Sequence, residues 1–98
     1  MRNETLRHLA IEKLKAIFRR NGYIRVPIEA RRKMQGRKYK KGYEVRLVAE
    51  EQEELDDIRI ALTRIGLKPG KPFAKGSRTI QPVYGKEAVD FFKAMISK

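Results

Sequence analysis

Around Asn21-Gly22 the apolar residues change their spacing from that of a helix to that of a strand. From Thr5, a capping residue, to about Arg20, the positions Leu6, Leu9, Ala10, Lys13, Leu14 and Ile17 fall on one stripe, and Ile11 and Phe18 widen it. Gly22 ends that helix. Alternation then begins: Ile24, Val26, Ile28 and Ala30 share one face, and Tyr23, Arg25, Pro27, Glu29, Arg31 and Lys33 share the other. That period of two is the mark of a half-buried strand, and Pro27 suits an edge or bulged one. Such a chain covers one face of a sheet with its helix and leaves the other face basic.

The remaining elements follow the same logic. Gln35-Gly36-Arg37-Lys38-Tyr39-Lys40-Lys41-Gly42 is a basic loop bounded by glycines. It returns the chain to a second strand with Tyr43, Val45, Leu47 and Ala49 inward and Glu44, Arg46 and Val48 outward, which makes a long hairpin. An acidic run, Glu50 to Asp57, opens a second helix, where negative charge meets the positive end of the helix dipole. Leu55, Ile58, Ala61, Leu62 and Ile65 form its buried stripe before Gly66 stops it. Pro69, Gly70 and Pro72 make the third strand, within Lys68 to Ala74, short or irregular, and Lys75-Gly76-Ser77-Arg78 turns the chain. The fourth strand, Thr79 to Tyr84, offers two mixed sets, Thr79, Gln81 and Val83 against Ile80, Pro82 and Tyr84, and neither is cleanly apolar. After Gly85, the residues Ala88, Val89, Phe91, Phe92, Met95 and Ile96 make a short C-terminal helix. The order αββαββα predicts an α+β domain, residues 1–98, with a four-stranded antiparallel sheet and helices on one face.

Charge narrows the function. The chain has 24 Lys and Arg against 12 Asp and Glu, a formal +12, and six of the acids lie in the single run from Glu50 to Asp57. Solubility needs a net charge of only about 2–8, so the excess calls for a polyanionic partner. Nucleic acid fits better than a membrane surface, because no basic amphipathic helix with bulky apolar anchors is present. The chain lacks cysteine and has one histidine, His8, which excludes disulfides and thiolate metal sites and leaves a zinc site without ligands. No cofactor is expected. No window approaches the roughly 18 apolar residues of a membrane span, so an intracellular, soluble protein is expected, in the cytoplasm beside the nucleoid.

Three stretches carry a family resemblance: Leu14-Lys15-Ala16-Ile17-Phe18-Arg19-Arg20-Asn21-Gly22 running into Tyr23-Ile24-Arg25-Val26, then Ile58 to Leu67, then Val83-Tyr84-Gly85-Lys86-Glu87 and the apolar helix after it. With the order αββαββα they resemble one LAGLIDADG homing-endonuclease domain. Leu14, Ala16, Ile17 and Gly22 agree with that family's signature helix, whereas Lys15 and Arg20 stand where it prefers alanine, and Arg19 and Asn21 where it has aspartates. In the family the last acid binds a divalent metal at a seam between two such helices. The resemblance thus implies a degenerate active site at Asn21, because hard cations are held by carboxylates and an amide brings no negative charge. It also implies a homodimer, since one domain offers half of the family's DNA-binding saddle. Lys15 and Arg20 oppose close approach at the usual seam, so a shifted stripe of Leu6, Leu9, Ala10 and Lys13 is the expected dimer contact.

The reading that follows is a non-catalytic, sequence-selective protein of double-stranded DNA, reading the major groove, about 12 Å wide, with a basic sheet face. Arg25, Arg31, Lys33 and Arg46 are the expected groove contacts, Arg37, Lys38, Lys40 and Lys41 the phosphate contacts, and Lys71, Lys75 and Arg78 extend the basic surface. No catalytic residue is assigned. Two alternatives stay open: a homodimeric magnesium-dependent nuclease whose acid is Glu29 or Glu44, and an RNA-binding module, because basic charge alone does not separate the nucleic acids. Tyr23, Tyr39, Tyr43 and Tyr84 lack the spacing of a single-strand platform in sequence; three are expected to pack in or beside the sheet, and Tyr39 to touch a backbone.

Overall fold

The computed structural model describes residues 2–26 and 42–97. Within them the chain forms α1 (Arg2–Asn21), β1 (Tyr23–Arg25), β2 (Glu44–Ala49), α2 (Gln52–Arg64), β3 (Phe73–Lys75), β4 (Arg78–Tyr84) and α3 (Lys86–Ile96). This is an α+β domain in the order αββαββα. The sheet is four-stranded and antiparallel throughout, in the order β1-β2-β4-β3. Glu29, Arg31, Lys33, Arg37, Lys38, Tyr39, Lys40 and Lys41 lie outside the described residues, as do Ile28 and Ala30.

Register assigns the faces. Val45 pairs with Val83 and Leu47 with Gln81, and these residues face the helices; Arg46 pairs with Pro82 and Val48 with Ile80, and these face the opposite side. The core between sheet and helices contains Leu14, Val45, Leu47, Ile58, Leu62, Val83, Val89 and Phe92, all nearly inaccessible to water. Phe18 and Phe92 close it with ring centroids 5.7 Å apart. The five stripe residues expected on α2 are all buried, and Gly66 ends that helix at φ +89°, a conformation that a side chain would strain.

Two expectations need correction. On α1 only Ala10, Leu14 and Ile17 of the expected stripe are buried; Leu6 is exposed and Leu9 is 57% exposed. Ile11 and Phe18 pack against the core, so the helix is rolled toward them and Leu9 and Lys13 fall on its outer margin. Secondly, Glu44 and Val48 point to the non-helical face as their parity requires, yet both are buried, Glu44 at 3% exposure. The reason for Glu44 is its ion pairing with Arg46 and Arg25. Gly22 ends α1 as expected, though without a positive φ. Its need for glycine is steric: a Cβ there would stand 2.7 Å from Cδ2 of Phe18 and 2.9 Å from its Cα.

Pro82 sits in an inner strand, where a missing N–H is normally excluded. Its carbonyl accepts from the Gly70 N–H at 2.9 Å. A strand residue projects its N–H and C=O to the same side, so the donor that Pro82 lacks belongs beside Gly70 and not in the ladder to β2. The Gly70 carbonyl is served instead by side chains: Nε2 of the fully buried Gln81 donates to it at 2.8 Å, and Nη1 of Arg59 at 3.0 Å. Arg59 also donates to Gln81 Oε1 at 2.8 Å, tying α2 to β4. The polar fourth-strand residue that obscured the inward face is therefore the replacement for a backbone donor.

Candidate nucleic-acid interface

The face of the sheet turned away from the helices carries Tyr23 and Arg25 from β1, Glu44, Arg46 and Val48 from β2, Arg78, Ile80, Pro82 and Tyr84 from β4, and Phe73 and Lys75 from β3. Apolar residues floor it, cations stand over it, and three aromatic rings are exposed on it: Tyr23 at 39%, Phe73 at 38% and Tyr84 at 56%. Alternation with the half-buried Ile24 and the buried Val83 is the signal that places Tyr23 and Tyr84 on this side, where they lie on the sheet strands with their rings exposed. Tyr43 does pack against the core, half-buried.

Arg46 is the centre of the face. Its Nε donates to Glu44 Oε2 at 2.7 Å and its Nη1 to the Tyr23 hydroxyl at 2.7 Å, and its guanidinium carbon lies 5.6 Å from the Tyr23 ring centroid and 5.3 Å from that of Phe73. The guanidinium thus bridges two aromatic rings across the sheet. The hydrogen bond to Glu44 raises its pKa, against the opposing effect of burial. Arg25 approaches the same carboxylate at 3.8 Å. Both expected groove contacts on the described part of the first hairpin are therefore drawn toward one buried acid.

The second half of the face is different. Asn21, Tyr23, Val48, Lys75, Arg78 and Ile80 surround a concavity of about 320 Å³. Asn21 and Tyr23 form one wall and Lys75 and Arg78 the other, over a floor of Val48 and Ile80. Arg78 reaches Glu50 at 3.7 Å with both side chains about half exposed, a weak pairing in water. Among the described residues Lys71 and Lys75 have no acidic partner within ion-pair distance, and both are exposed. The structure brings Asn21, Lys75 and Arg78 together and keeps Arg25 and Arg46 nearby; Lys71 follows Gly70 at the same sheet edge.

Magnesium does not fit the concavity. Its lining has no carboxylate and two cations; beside it Glu50 faces Arg78 at 3.7 Å, and Glu44 in the sheet is already engaged by two guanidinium groups. Among the described residues no group of three or more His, Cys, Asp or Glu side chains could hold a metal ion, and no helix is long and apolar enough to cross a membrane. No family model, no curated protein and no solved structure matches the chain.

Proposed function

We propose that this protein is a non-catalytic, sequence-selective double-stranded DNA-binding protein related to LAGLIDADG homing endonucleases, acting as a homodimer beside the nucleoid in the cytoplasm. The observation that carries the reading is the cationic sheet face opposite the helices, with Asn21 beside Lys75 and Arg78 where a nuclease of that family would need an acid. A twisted antiparallel sheet can enter a major groove, and exposed cations at its margin hold phosphates while polar groups toward its centre meet base edges. Support for the family relation comes from the element order and from the position of Asn21 at the end of α1. The magnesium-nuclease alternative is disfavoured by the pairing of Glu44 with Arg46 and Arg25.

The dimer reading is supported by Leu9 and Ile60, exposed side by side along the groove between α1 and α2. Lys13 pairs with Asp57 at 3.7 Å beside them. Ala10, expected at that contact, is buried in the core of its own protomer.

The test is a titration of duplex DNA and structured RNA over a range of salt, with and without magnesium. With about six phosphates neutralised, the slope of log affinity against log salt is expected to be on the order of −5. A salt-independent affinity, or tighter binding of structured RNA, overturns the reading.

A further inference from the structure

We infer that the β3–β4 half of the open sheet face is a binding site for unpaired nucleotides, an activity separate from duplex binding. Tyr84 is the principal residue. Its ring lies against Gly70, so closely that a Cβ on that glycine would stand 2.7 Å from ring carbon Cε2, yet the residue remains 56% exposed. Gly70 is itself held at both ends, by its N–H on the Pro82 carbonyl and by Gln81 and Arg59 on its own carbonyl. An aromatic ring supported by fixed backbone and open on its other side is a pre-formed plate, and little order must be gained when something flat settles on it.

Phe73 offers a second plate. One side of its ring meets the Arg46 guanidinium at 5.3 Å, and the residue is 38% exposed. Phe73 lies opposite Ile80, four residues along β4 from Tyr84, so at about 3.4 Å per residue the two backbone positions are roughly 13 Å apart along the strand. Lys71, Lys75 and Arg78 line the same edge, so a strand with one base on each plate runs its phosphates past three cations. The faces of duplex bases are covered by their neighbours, and a plate gains only from a base that is free of its stack. Exposed rings beside exposed cations are the combination that holds a single strand with little regard to sequence.

The full chain is titrated at one fixed salt concentration with oligothymidylate and oligouridylate of about eight nucleotides, and with an abasic oligomer of the same length that keeps the phosphates. Stacking on one ring is worth roughly 5- to 150-fold in affinity, so the wild type is expected to bind a base-bearing oligomer about tenfold or more tighter than the abasic one, with quenching of tyrosine fluorescence. Tyr84→Ala is expected to remove most of that preference and Tyr84→Phe to keep it, with any loss of duplex affinity in Tyr84→Ala clearly smaller than its loss on the base-bearing strand. Base dependence with either oligomer supports the site. Equal binding of abasic and base-bearing oligomers by the wild type overturns it, as does a Tyr84→Ala loss that is the same for duplex and single strand. A wild type with no salt-dependent duplex affinity but intact base-dependent strand binding refutes the duplex reading alone, so the two proposals fail separately.

Discussion

Arg20, in the last turn of α1, holds both carboxylate oxygens of Glu54, in the first turn of α2, at 3.0 and 2.7 Å. The same guanidinium donates to the Val48 carbonyl at 2.8 Å, so one side chain joins the end of a helix, the end of a strand and the start of the next helix. Glu54 answers by accepting the Glu50 N–H at 2.9 Å, which orders the turn between β2 and α2. In sequence Arg20 stands as an obstacle to helix pairing; in the structure it is an internal strut.

Replacing Glu54 by Gln is expected to cost about 1–2 kcal/mol at neutral pH, in the range of charge-assisted hydrogen bonds discounted for partial exposure. The hydrogen bond from Arg20, opposed by burial, holds the Glu54 carboxyl below its ordinary pKa in the folded protein. The contribution is therefore full above the unfolded value, about 4.3, and is lost as pH falls through the lower folded value. Thermal melts should separate wild type from variant by roughly 4–8 °C per kcal/mol at pH 7, with the gap closing in strong acid. A gap that widened in acid would contradict the pairing.

Gln81→Leu should cost about 2–3 kcal/mol, because it strips the Gly70 carbonyl of one donor and leaves the Arg59 guanidinium without its side-chain acceptor. Arg59→Met acts on the same group, so the two changes should couple by more than about 0.5 kcal/mol in a double-mutant cycle read by denaturant melts.

Gly22→Ala should destabilise by about 1–3 kcal/mol through collision with Phe18, although the backbone there suits any residue. Trimming the ring in Gly22→Ala with Phe18→Leu should recover part of the loss that Gly22→Ala adds, a non-additivity that a purely conformational role for glycine would not produce.

Glu44→Gln removes the acid that engages Arg46 and Arg25. Duplex affinity at low salt is expected to rise several-fold, and the salt slope to steepen by about 1, as the guanidinium groups turn to phosphate. Weaker binding would show instead that Glu44 holds Arg46 in its binding pose.

With cations across the concavity from Asn21, the wild type should show no magnesium-dependent strand cleavage in a gel assay. Asn21→Asp combined with Arg19→Asp should introduce divalent-ion binding, detected by manganese relaxation of nearby amide signals, without cleavage being required. Cleavage by the wild type that survives Asn21→Ala would show that the acid lies elsewhere, with Glu29 first in line.

Light scattering should give twice the 11.5 kDa chain mass, and Leu9→Glu should reduce it to one chain without loss of secondary structure, since Leu9 contributes little to its own core. A single-chain mass for the wild type at high concentration and on DNA would end the dimer reading.

Helices and strands were legible where one periodicity prevailed. Leu55, Ile58, Ala61, Leu62 and Ile65 mark α2 by spacing alone, and all are buried. In α1 the stripe is widened by Ile11 and Phe18, and which side of so broad a stripe turns inward depends on partners such as Phe92 against Phe18, far apart in the chain. The candidate site was legible as charge and not as geometry. Nothing local in the sequence says that Glu44 is buried, that Phe73 from β3 reaches Arg46 on β2, or that Gln81 serves the carbonyl of Gly70, because each depends on which strands become neighbours.

Pro82 has a consequence for how copies of this chain can meet. Past Phe73 the outer flank of β4 presents a residue with no N–H, and the backbone opposite, at Gly70, already has both its groups engaged within the chain. That stretch of β4 is thereby occupied within the chain, and a strand from another molecule could join the sheet on this side only along β3, three residues long, an edge too short to template an extended hydrogen-bonded ladder.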